Sequence, residues 1–317
     1  MALLGMDLGG TKLATAVFTE EGTIITKASF PLEKRQGKEV GQLITRSLQE
    51  IINSSSEGNY NIDSVGISVP GISRSGSGTV WAPNIPGWED YPLLAEVKEV
   101  SRNTPLIIDN DRACYIAGEV WKGNAKGCRD AIFLSVGTGI GAGIMANGEF
   151  LRGSNDIAGS IGWMALDRPF TDDYIACGCF EHHASGEGLA KIARKLLKED
   201  PAYFGSLRNK PPEEISSHDI FEAYESNDPL ASAVIRNSIE FWGMAVANLI
   251  SLFNPEVIIM GGGVFGPALS LIPDIADEAY KWAQPISSRQ VRMCGSALGG
   301  DAGVSGAGYM ALKNYRK

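Results

Sequence analysis

Three glycine clusters, far apart in the chain, constrain the fold more than any other feature of this sequence. Each cluster directly follows a short apolar run that we predict to be a β-strand. Because glycine has no Cβ atom, backbone amides at these strand ends can approach a ligand closely, and successive free N–H groups form an anion site. The sequence therefore predicts a nucleotide whose phosphates contact the backbone at several points. The residues are Asp7, Gly9, Gly10, Thr11 and Lys12 in the first cluster, Gly137, Thr138 and Gly139 in the second, and Gly261, Gly262 and Gly263 in the third.

The second glycine cluster repeats the arrangement of the first. In each, a strand leads through glycines into a second strand, a tight turn and a third strand, and the turns are Glu21-Gly22 and Asn147-Gly148. The interval between the two turns is nearly the same as the interval between Thr11 and Thr138. This agreement predicts an internal duplication that gives two related domains. The alternative is two unrelated hairpins that are both rich in glycine.

Size, composition and charge indicate a two-domain globular protein. The 317 residues exceed the length at which a single hydrophobic core usually stops growing. A hydrophobic content of 44% and a charged content of 21% are ordinary values for globular domains. The net charge of −9 gives no electrostatic reason to bind nucleic acid or an anionic membrane surface. We therefore expect neither of these partners.

Targeting signals and cysteine content favour a cytoplasmic protein. No basic and apolar leader precedes the first predicted strand, so we expect no export. The longest apolar stretch, 241–253, is too short to span a bilayer. Five cysteines, three of them isolated, do not have the pattern of a disulfide framework. A reducing compartment is the simplest setting for such a chain.

Hydrophobic periodicity predicts alternating strands and helices on both sides of a domain boundary near Arg112. We predict a first domain of residues 1–112, with 301–317 packing back on it as a closing helix, and a larger second domain of residues 113–300. The stretch 154–181 has no regular pattern and is typical of a functional loop. Besides the strands already given, the predicted elements are helices over 40–52, 92–101, 112–121, 184–199, 229–253 and 267–283 and strands over 62–69 and 105–108.

Six short motifs occur in a fixed order along the chain. They are Asp7-Leu8-Gly9-Gly10-Thr11-Lys12, Val69-Pro70-Gly71, Ala82-Pro83-Asn84, Asn110-Asp111, Gly137-Thr138-Gly139-Ile140-Gly141-Ala142-Gly143 and Met260-Gly261-Gly262-Gly263. In this order the set resembles the ROK family, which contains bacterial sugar kinases, glucokinases among them, and sugar-responsive repressors with the same body. The resemblance covers nearly the whole chain.

The resemblance implies a duplicated α/β architecture, the actin-like ATPase fold related to ribonuclease H, with ATP and sugar meeting in a cleft between two domains. Phosphoryl transfer needs donors on the phosphates, a metal ion that neutralises charge, and a base on the acceptor hydroxyl. Asp7 is then expected to hold hydrated Mg²⁺ near the phosphates. The alternative for Asp7 is an aspartate that only caps the turn after the first strand. The second cluster is expected to bind phosphates, and the third to lie against adenosine.

Asp111 has the position of the family's general base, which takes the proton from the attacking sugar hydroxyl. Asn84 and Asn110 are expected to hydrogen-bond sugar hydroxyls. The structural alternative for Asp111 is a helix N-cap, because a predicted helix follows it directly. Asp109 lies on the same side of the predicted strand, but the family motif favours Asp111 as the base.

The chain departs from the family pattern at two positions expected to contact the sugar. Glucokinases of the family usually have Gly-Glu-x-Gly-His after the second hairpin, and here the segment is Gly159-Ser160-Ile161-Gly162-Trp163. Ser160 keeps a hydrogen-bonding group without a charge, and Trp163 offers an aromatic face to a sugar or its substituent. Loss of a charged hydrogen bond costs on the order of 1.5–3 kcal/mol. We therefore expect the substrate to be a hexose or a hexose derivative, and plain glucose is less favoured than the family's glucokinases suggest.

The family's zinc element is also altered. Only Cys177-Gly178-Cys179-Phe180-Glu181 remains of it, and the resemblance leaves Glu181 as a sugar-binding carboxylate. A structural zinc normally takes two pairs of ligands from separate segments, and His182 and His183 are adjacent. We predict no structural zinc, with a reduced cysteine pair and two surface histidines in its place.

The leading hypothesis is an ATP-dependent sugar kinase of the cytoplasm, acting in carbohydrate metabolism and, like many members of this family, a homodimer. The alternative is a non-catalytic sugar-binding protein of the same family, which the changes at Ser160 and Trp163 favour. A sugar-responsive repressor needs an N-terminal helix-turn-helix, and only six residues precede Asp7. A hydride-transfer enzyme is disfavoured because no glycine cluster has the dinucleotide-binding spacing at the start of a helix.

Overall fold

The computed structural model describes residues 1–57, 60–101 and 103–316. They form two compact units, the first made of residues 1–127, 149–158 and 297–317 and the second of residues 128–148 and 159–296. Both units have helices packed on a sheet. Within the described part of the chain, no helix is long and apolar enough to cross a membrane.

The regular elements alternate along the chain as the sequence predicts. The strands are β1 (Ala2–Leu8), β2 (Lys12–Thr19), β3 (Ile24–Pro31), β4 (Ile62–Val69), β5 (Ile72–Ser73), β6 (Val80–Trp81), β7 (Leu106–Asn110), β8 (Ala131–Val136), β9 (Ile140–Ala146), β10 (Glu149–Phe150), β11 (Val257–Gly261) and β12 (Arg292–Gly295). The helices are α1 (Lys38–Glu57), α2 (Leu93–Val100), α3 (Asp111–Lys122), α4 (Cys179–Ala184), α5 (Gly186–Glu199), α6 (Ser217–Glu225), α7 (Pro229–Phe253), α8 (Ile272–Trp282), α9 (Pro285–Ser288) and α10 (Ala302–Tyr315).

The first unit has a five-stranded sheet in the order β3-β2-β1-β4-β7. β1, β2 and β3 form an antiparallel meander, whereas β4 and β7 run parallel to β1. Strands β1 and β4 are buried along nearly their whole length, as is usual for strands covered on both faces. One face packs on α1 and α2, whose inward side chains include Val40, Ile44 and Val97. The arrangement places the C-terminal ends of β1 and β7 at the same edge of the sheet.

Helix α10 packs on this sheet and on α3 through close backbone contacts. A Cβ atom at Gly66 of β4 would overlap the backbone of Ala307, and one at Gly306 would overlap the backbone of Cys114 in α3. Glycine is therefore required at these positions by helix packing, and this accounts for the glycines of the closing helix. The same packing explains why α3 belongs to the first unit, which continues to residue 127, whereas we placed the predicted boundary at Arg112.

The second unit contains the strand order β9-β8-β11-β12. β8 and β9 are antiparallel, and β11 runs parallel to both β8 and β12. This is the arrangement of β2-β1-β4-β7 in the first unit, so the topology confirms the duplication predicted from the glycine clusters. Helix α7 is capped at its start by Asp228, whose carboxylate accepts from the amides of Leu230 and Ala231, and at its end by Asn254 in a left-handed conformation.

Several predicted elements differ from the structure in their bounds. The helix predicted over 184–199 begins at Gly186, because the side chain of Ser185 accepts a hydrogen bond from the amide of Gly188 and caps α5. Of the helix predicted over 267–283, the first turn Pro267–Leu271 is a 3₁₀-helix. The sequence analysis missed α4, which begins inside the stretch 154–181 that we expected to be irregular, as well as α6, α9 and three short strands, β5, β6 and β12.

Candidate active site

The first glycine cluster forms the tight turn between β1 and β2. The amide of Gly9 donates to the carbonyl of Lys12 at 2.9 Å, and the carbonyl of Thr11 accepts from the amide of Leu32 at 2.8 Å. Within the described residues, the amides of Gly10 and Thr11 donate to no acceptor, and a Cβ atom at Gly10 would meet no atom within 4 Å. Nothing in the packing of this unit requires glycine at position 10. The turn therefore has free donors and open space where an anionic ligand fits.

Asp7 lies at the end of β1, with its carboxylate against the first turn of α10. A Cβ atom at Gly303 would overlap this carboxylate, so glycine there makes the space that Asp7 occupies. Burial raises the pKa of Asp7 from 3.8 to about 6, the nearby charge of Asp111 adds to the rise, and Ser68 and Lys12 oppose it. The contact with Gly303 connects residues almost 300 positions apart, and no local pattern in the sequence indicates it.

Asn110, and not Asp111, is the N-cap of α3. The Asn110 Oδ1 accepts from the amide of Ala113 at 2.9 Å, and its Nδ2 donates to Asp109 at 3.3 Å. Asp111 is the first residue of the helix itself. The structural alternative for Asp111 is therefore not realised, and its carboxylate is not needed to start the helix. Asn110 retains one N–H for a ligand, because only one of its two Nδ2 hydrogens donates to Asp109.

The carboxylate of Asp111 has a defined environment within the first unit. It accepts from the amide of Arg112 at 2.8 Å and from the hydroxyl of Tyr115, one turn further along α3. Burial raises its pKa above the usual value, while the charge of Arg112 and these hydrogen bonds lower it. Asp111 also lies close enough to Asp7 for its charge to raise the pKa of that residue. The two acidic side chains predicted to act on the sugar and the metal are thus brought together.

An ion pair between a buried carboxylate and a half-buried guanidinium lies next to Asn110 and was not predicted. Asp109, 1% exposed, contacts the guanidinium of Arg152 at 2.5 Å. Burial raises the pKa of Asp109 to about 6, and the charge of Arg152 opposes the rise. The segment that contains Arg152 is also held by Asp156, whose carboxylate accepts from the amide and hydroxyl of Ser75, both at 2.9 Å. The two contacts position this segment beside the end of β7.

Asn84 lies on the wall of a cavity of about 150 Å³ that also includes Gly10. The remaining wall comes from the loop 32–36 and from residues 85 and 86. In this loop the guanidinium of Arg35 contacts the carbonyls of Pro31 and Leu32 and the carboxylate of Glu33. Lys34 is exposed and forms no ion pair within the described residues. The first unit therefore brings a predicted sugar ligand, a predicted phosphate ligand and an unpaired cation to one cavity.

The second glycine cluster forms the corresponding turn between β8 and β9. The amide of Gly137 donates to the carbonyl of Gly139 at 2.9 Å, and the carbonyl of Gly137 accepts from the amide of Gly186 at 2.8 Å. The amides of Thr138 and Gly139 donate to no acceptor in the described part of the chain. A Cβ atom at Gly137 would meet no atom within 4 Å. The turn has the same open character as the first.

Glu181 lies directly against the second glycine turn. Its Oε2 accepts from the amide of Ile140 at 2.6 Å, and Cβ atoms at Gly139 and Gly162 would lie 2.8 and 2.9 Å from this oxygen. Burial raises the pKa of Glu181, and the hydrogen bond from Ile140 opposes the rise. Trp163 follows Gly162 in a 3₁₀ turn with 58% of its surface exposed, and Ser160 precedes that turn. Glu181 and Gly162, the residue before Trp163, therefore lie next to the second glycine turn.

The third glycine cluster is only partly open. A Cβ atom at Gly261 would overlap the ring of Phe133, and Gly262 has a φ of +92° and lies against the backbone of Val136. Glycine at both positions is therefore required by the packing of the unit itself. At Gly263, in contrast, a Cβ atom would meet nothing within 4 Å. Only this last position has the open backbone expected for contact with adenosine.

The two histidines predicted to lie on the surface are partly buried. The ring of His183 stacks on Phe241 at 4.2 Å between centroids, and its Nε2 lies 2.9 Å from the hydroxyl of Tyr174. Burial lowers the pKa of His183 to about 4. The aromatic core around α4 and α7 therefore holds this ring, which corrects the prediction. Among the described residues, no three His, Cys, Asp or Glu side chains are arranged to hold a metal ion.

Comparisons with known proteins identify the family to which this chain belongs. The family model for the ROK family matches residues 3–314. A glucokinase from Halalkalibacterium halodurans is 33% identical over 97% of this chain and 94% of its own length. The xylose repressor of Caldicellulosiruptor bescii is 32% identical over 82% of this chain and 65% of its own. The crystal structure of a ROK family glucokinase from Streptomyces griseus in complex with glucose and AMPPNP has a TM-score of 0.77 at 27% identity, covering 99% of this chain and 100% of that one. The chain therefore belongs to the ROK family and has the actin-like ATPase fold.

Proposed function

We propose that the protein is a sugar kinase that transfers the γ-phosphoryl group of ATP to a hydroxyl of a hexose or hexose derivative. One observation carries the proposal. Asn110 caps α3 through its own side chain, so the Asp111 carboxylate has no structural duty in starting the helix. The half-buried Asp111 carboxylate also lies close to a second one, that of Asp7. Two neighbouring acidic groups of this kind are typical of a catalytic site.

In the proposed mechanism, Asp111 accepts the proton of the attacking sugar hydroxyl. The hydrogen bonds from the Arg112 amide and the Tyr115 hydroxyl hold the carboxylate in one orientation and favour its ionised form. Asn110 donates its remaining N–H to a sugar oxygen, and Asn84 provides a second amide group at the cavity wall. Holding the reacting hydroxyl and the base in fixed geometry supplies much of the rate enhancement.

The phosphates of ATP are bound by backbone amides. In the first unit these are the amides of Gly10 and Thr11, and in the second unit those of Thr138 and Gly139. Gly263 gives adenosine access to the backbone after β11. The residues also fit Mg²⁺, because the ion takes one or two carboxylates together with phosphate oxygens, and Asp7 provides such a carboxylate. An ion held by Asp7 would supply positive charge that neutralises the phosphates.

The substrate preference depends on Ser160, Trp163 and Glu181. With Ser160 in place of an acidic residue, one charged contact to the sugar is absent, while Glu181 retains its carboxylate. The exposed indole of Trp163 offers an apolar surface to a sugar face or to a substituent such as an acetamido group. We propose that the protein prefers a hexose derivative with such a substituent to unmodified glucose.

We also propose that the protein is a homodimer. Light scattering in solution measures its mass and tests this proposal.

The test measures ADP release with Mg-ATP across glucose, mannose, fructose, allose, N-acetylglucosamine and N-acetylmannosamine. We expect turnover on at least one sugar and a loss of at least about 100-fold in kcat for Asp111→Asn, the range associated with a general base. Asp172→Asn is the matched control, because this aspartate belongs to an exposed 3₁₀ turn. Absence of turnover on every sugar, with thermal stabilisation by one of them, refutes the kinase and identifies a sugar-binding protein.

A further inference from the structure

The phosphate loop of the second unit, residues 137–139, is held in place by groups from outside the hairpin to which it belongs. At its start, the carbonyl of Val136 accepts from the amide of Val264 at 3.0 Å. In its middle, the carbonyl of Gly137 accepts from the amide of Gly186. At its end, the amide of Ile140 donates to Glu181 at 2.6 Å. Of these three anchors, only the last is a side chain and only the last carries a charge.

Glu181 is enclosed by the segments that it connects. Its carboxylate lies between Gly139 of the loop and Gly162 of the turn that precedes Trp163, with no room for a Cβ atom at either glycine without a shift. Helix α4, which contains Glu181, is in turn fixed by Phe180, a fully buried side chain of the core. The carboxylate therefore connects the end of the loop, at the Ile140 amide, to the turn that precedes Trp163.

We propose that Glu181 is a positioning residue for the phosphate loop, so that nucleotide binding depends on it even when no sugar is present. The inference rests on the proposed function, in which this loop binds the phosphates of ATP. A charged acceptor fixes the amide of Ile140 and keeps the neighbouring amides of Thr138 and Gly139 directed at the ligand. A sugar that hydrogen-bonds to the same carboxylate weakens or strengthens its hydrogen bond to the Ile140 amide. Sugar binding therefore changes the affinity for nucleotide, and nucleotide binding changes the affinity for sugar by the same factor.

The experiment measures the dissociation constant of a non-hydrolysable ATP analogue with Mg²⁺ by calorimetry, in the absence of sugar. We expect Glu181→Ala to bind the analogue about tenfold more weakly, because it removes a charged hydrogen bond that fixes the loop. Glu181→Gln retains a carbonyl acceptor for the Ile140 amide and is expected to stay within about threefold of the wild type. The matched control is Glu187→Gln, six residues along the chain, whose exposed carboxylate pairs with Arg194; it is expected to bind as the wild type does.

Each result decides the point. Equal affinity of the wild type and Glu181→Ala for the analogue refutes the positioning role alone, whereas a wild type that does not bind the analogue refutes ATP use and the positioning role together. Circular dichroism and thermal melting verify that the variants are folded. Should Glu181→Ala fail to fold, Glu181→Asp takes its place, since its carboxylate is one methylene shorter and retracts from Ile140. In steady-state assays that vary sugar and ATP in turn, with the other substrate at saturation, Glu181→Gln is expected to raise the KM for sugar more than the KM for ATP, a split that general destabilisation does not produce.

Discussion

Removal of Arg152 tests the electrostatics of the site at the end of β7. Asp109 is 1% exposed, and its pKa of about 6 already includes the favourable charge of Arg152. In Arg152→Ala, burial acts without this opposition, so the pKa of Asp109 rises further and the carboxyl stays protonated in the folded state at pH 7. At pH 7, one unit above this pKa, ionisation of Asp109 stabilises the native state of the wild type by about 1.4 kcal/mol. The native state of the variant lacks this stabilisation, because its carboxyl remains protonated.

The sign of the pH dependence is specific to this explanation. In the native state the pKa of Asp109 lies above its ordinary value of 3.8. Between about pH 4 and pH 6 the carboxyl is therefore ionised in the unfolded state but still protonated in the native state, so the free energy of unfolding falls as the pH rises. In Arg152→Ala that loss continues to higher pH. The difference in unfolding free energy between wild type and variant is thus expected to be about 1.4 kcal/mol larger at pH 7 than at pH 5, where Asp109 is protonated in both.

Urea denaturation at the two pH values measures this difference. Lys27→Ala is the control, because it breaks an exposed pair with Asp301 and is expected to cost under about 1 kcal/mol at either pH. A cost for Arg152→Ala that is equal at pH 5 and pH 7 refutes the assigned role of the ion pair. Since Asp109 also orients the Asn110 amide, the variant is expected to raise the KM for sugar at pH 7.

Three further predictions concern the first unit. Gly303→Ala places a methyl group against the carboxylate of Asp7 and is expected to reduce kcat at least about tenfold, because the carboxylate must shift to make room. Gly300→Ala, where a methyl group meets no atom within 4 Å, is the control, and equal activities of the two variants contradict the contact. The value of kcat/KM is expected to fall below about pH 6, because Asp7 with its raised pKa must lose its proton to bind Mg²⁺. A higher Mg²⁺ concentration is expected to move this acidic limb to lower pH. An acidic limb near pH 4 argues against the raised pKa of Asp7. Lys34→Ala removes the unpaired cation beside Gly10 and is expected to raise the KM for ATP about threefold to tenfold at low salt. Lys38→Ala is the control and is expected to leave this KM unchanged. Equal KM values for the two variants exclude Lys34 from phosphate binding.

Much of the fold follows from local sequence signals. The bounds of β4 and α7 agree with prediction because the β-branched residues Ile62, Val65, Ile67 and Val69 mark the strand, and a proline one position after an aspartate is a strong helix-start signal. The duplication was predicted because a glycine cluster followed by a hairpin occurs at matching intervals in both halves. β12 was missed because its four residues, Arg292–Gly295, include a charged side chain and a glycine and have no clear alternation.

The candidate site is less accessible to sequence reasoning, because its geometry depends on contacts between distant residues. Asn110 and Asp111 are both good N-cap residues, and only the structure shows that Asn110 takes the role. The pairing of Arg152 with Asp109 and the contact of Gly303 with Asp7 join segments more than 40 positions apart. A buried acidic residue at a strand end, such as Asp109, indicates that a partner exists but does not identify it.

The rate of the chemical step in Asp111→Asn tests the central claim most directly. Rapid-quench measurement of a single turnover, with enzyme in excess over labelled ATP and with the preferred sugar at saturation, separates this step from binding and product release. A general base predicts a rate lowered by about 10²–10⁴-fold, with the dissociation constant for sugar changed only slightly. A single-turnover rate within a few-fold of the wild type would contradict the assignment of Asp111 as the base.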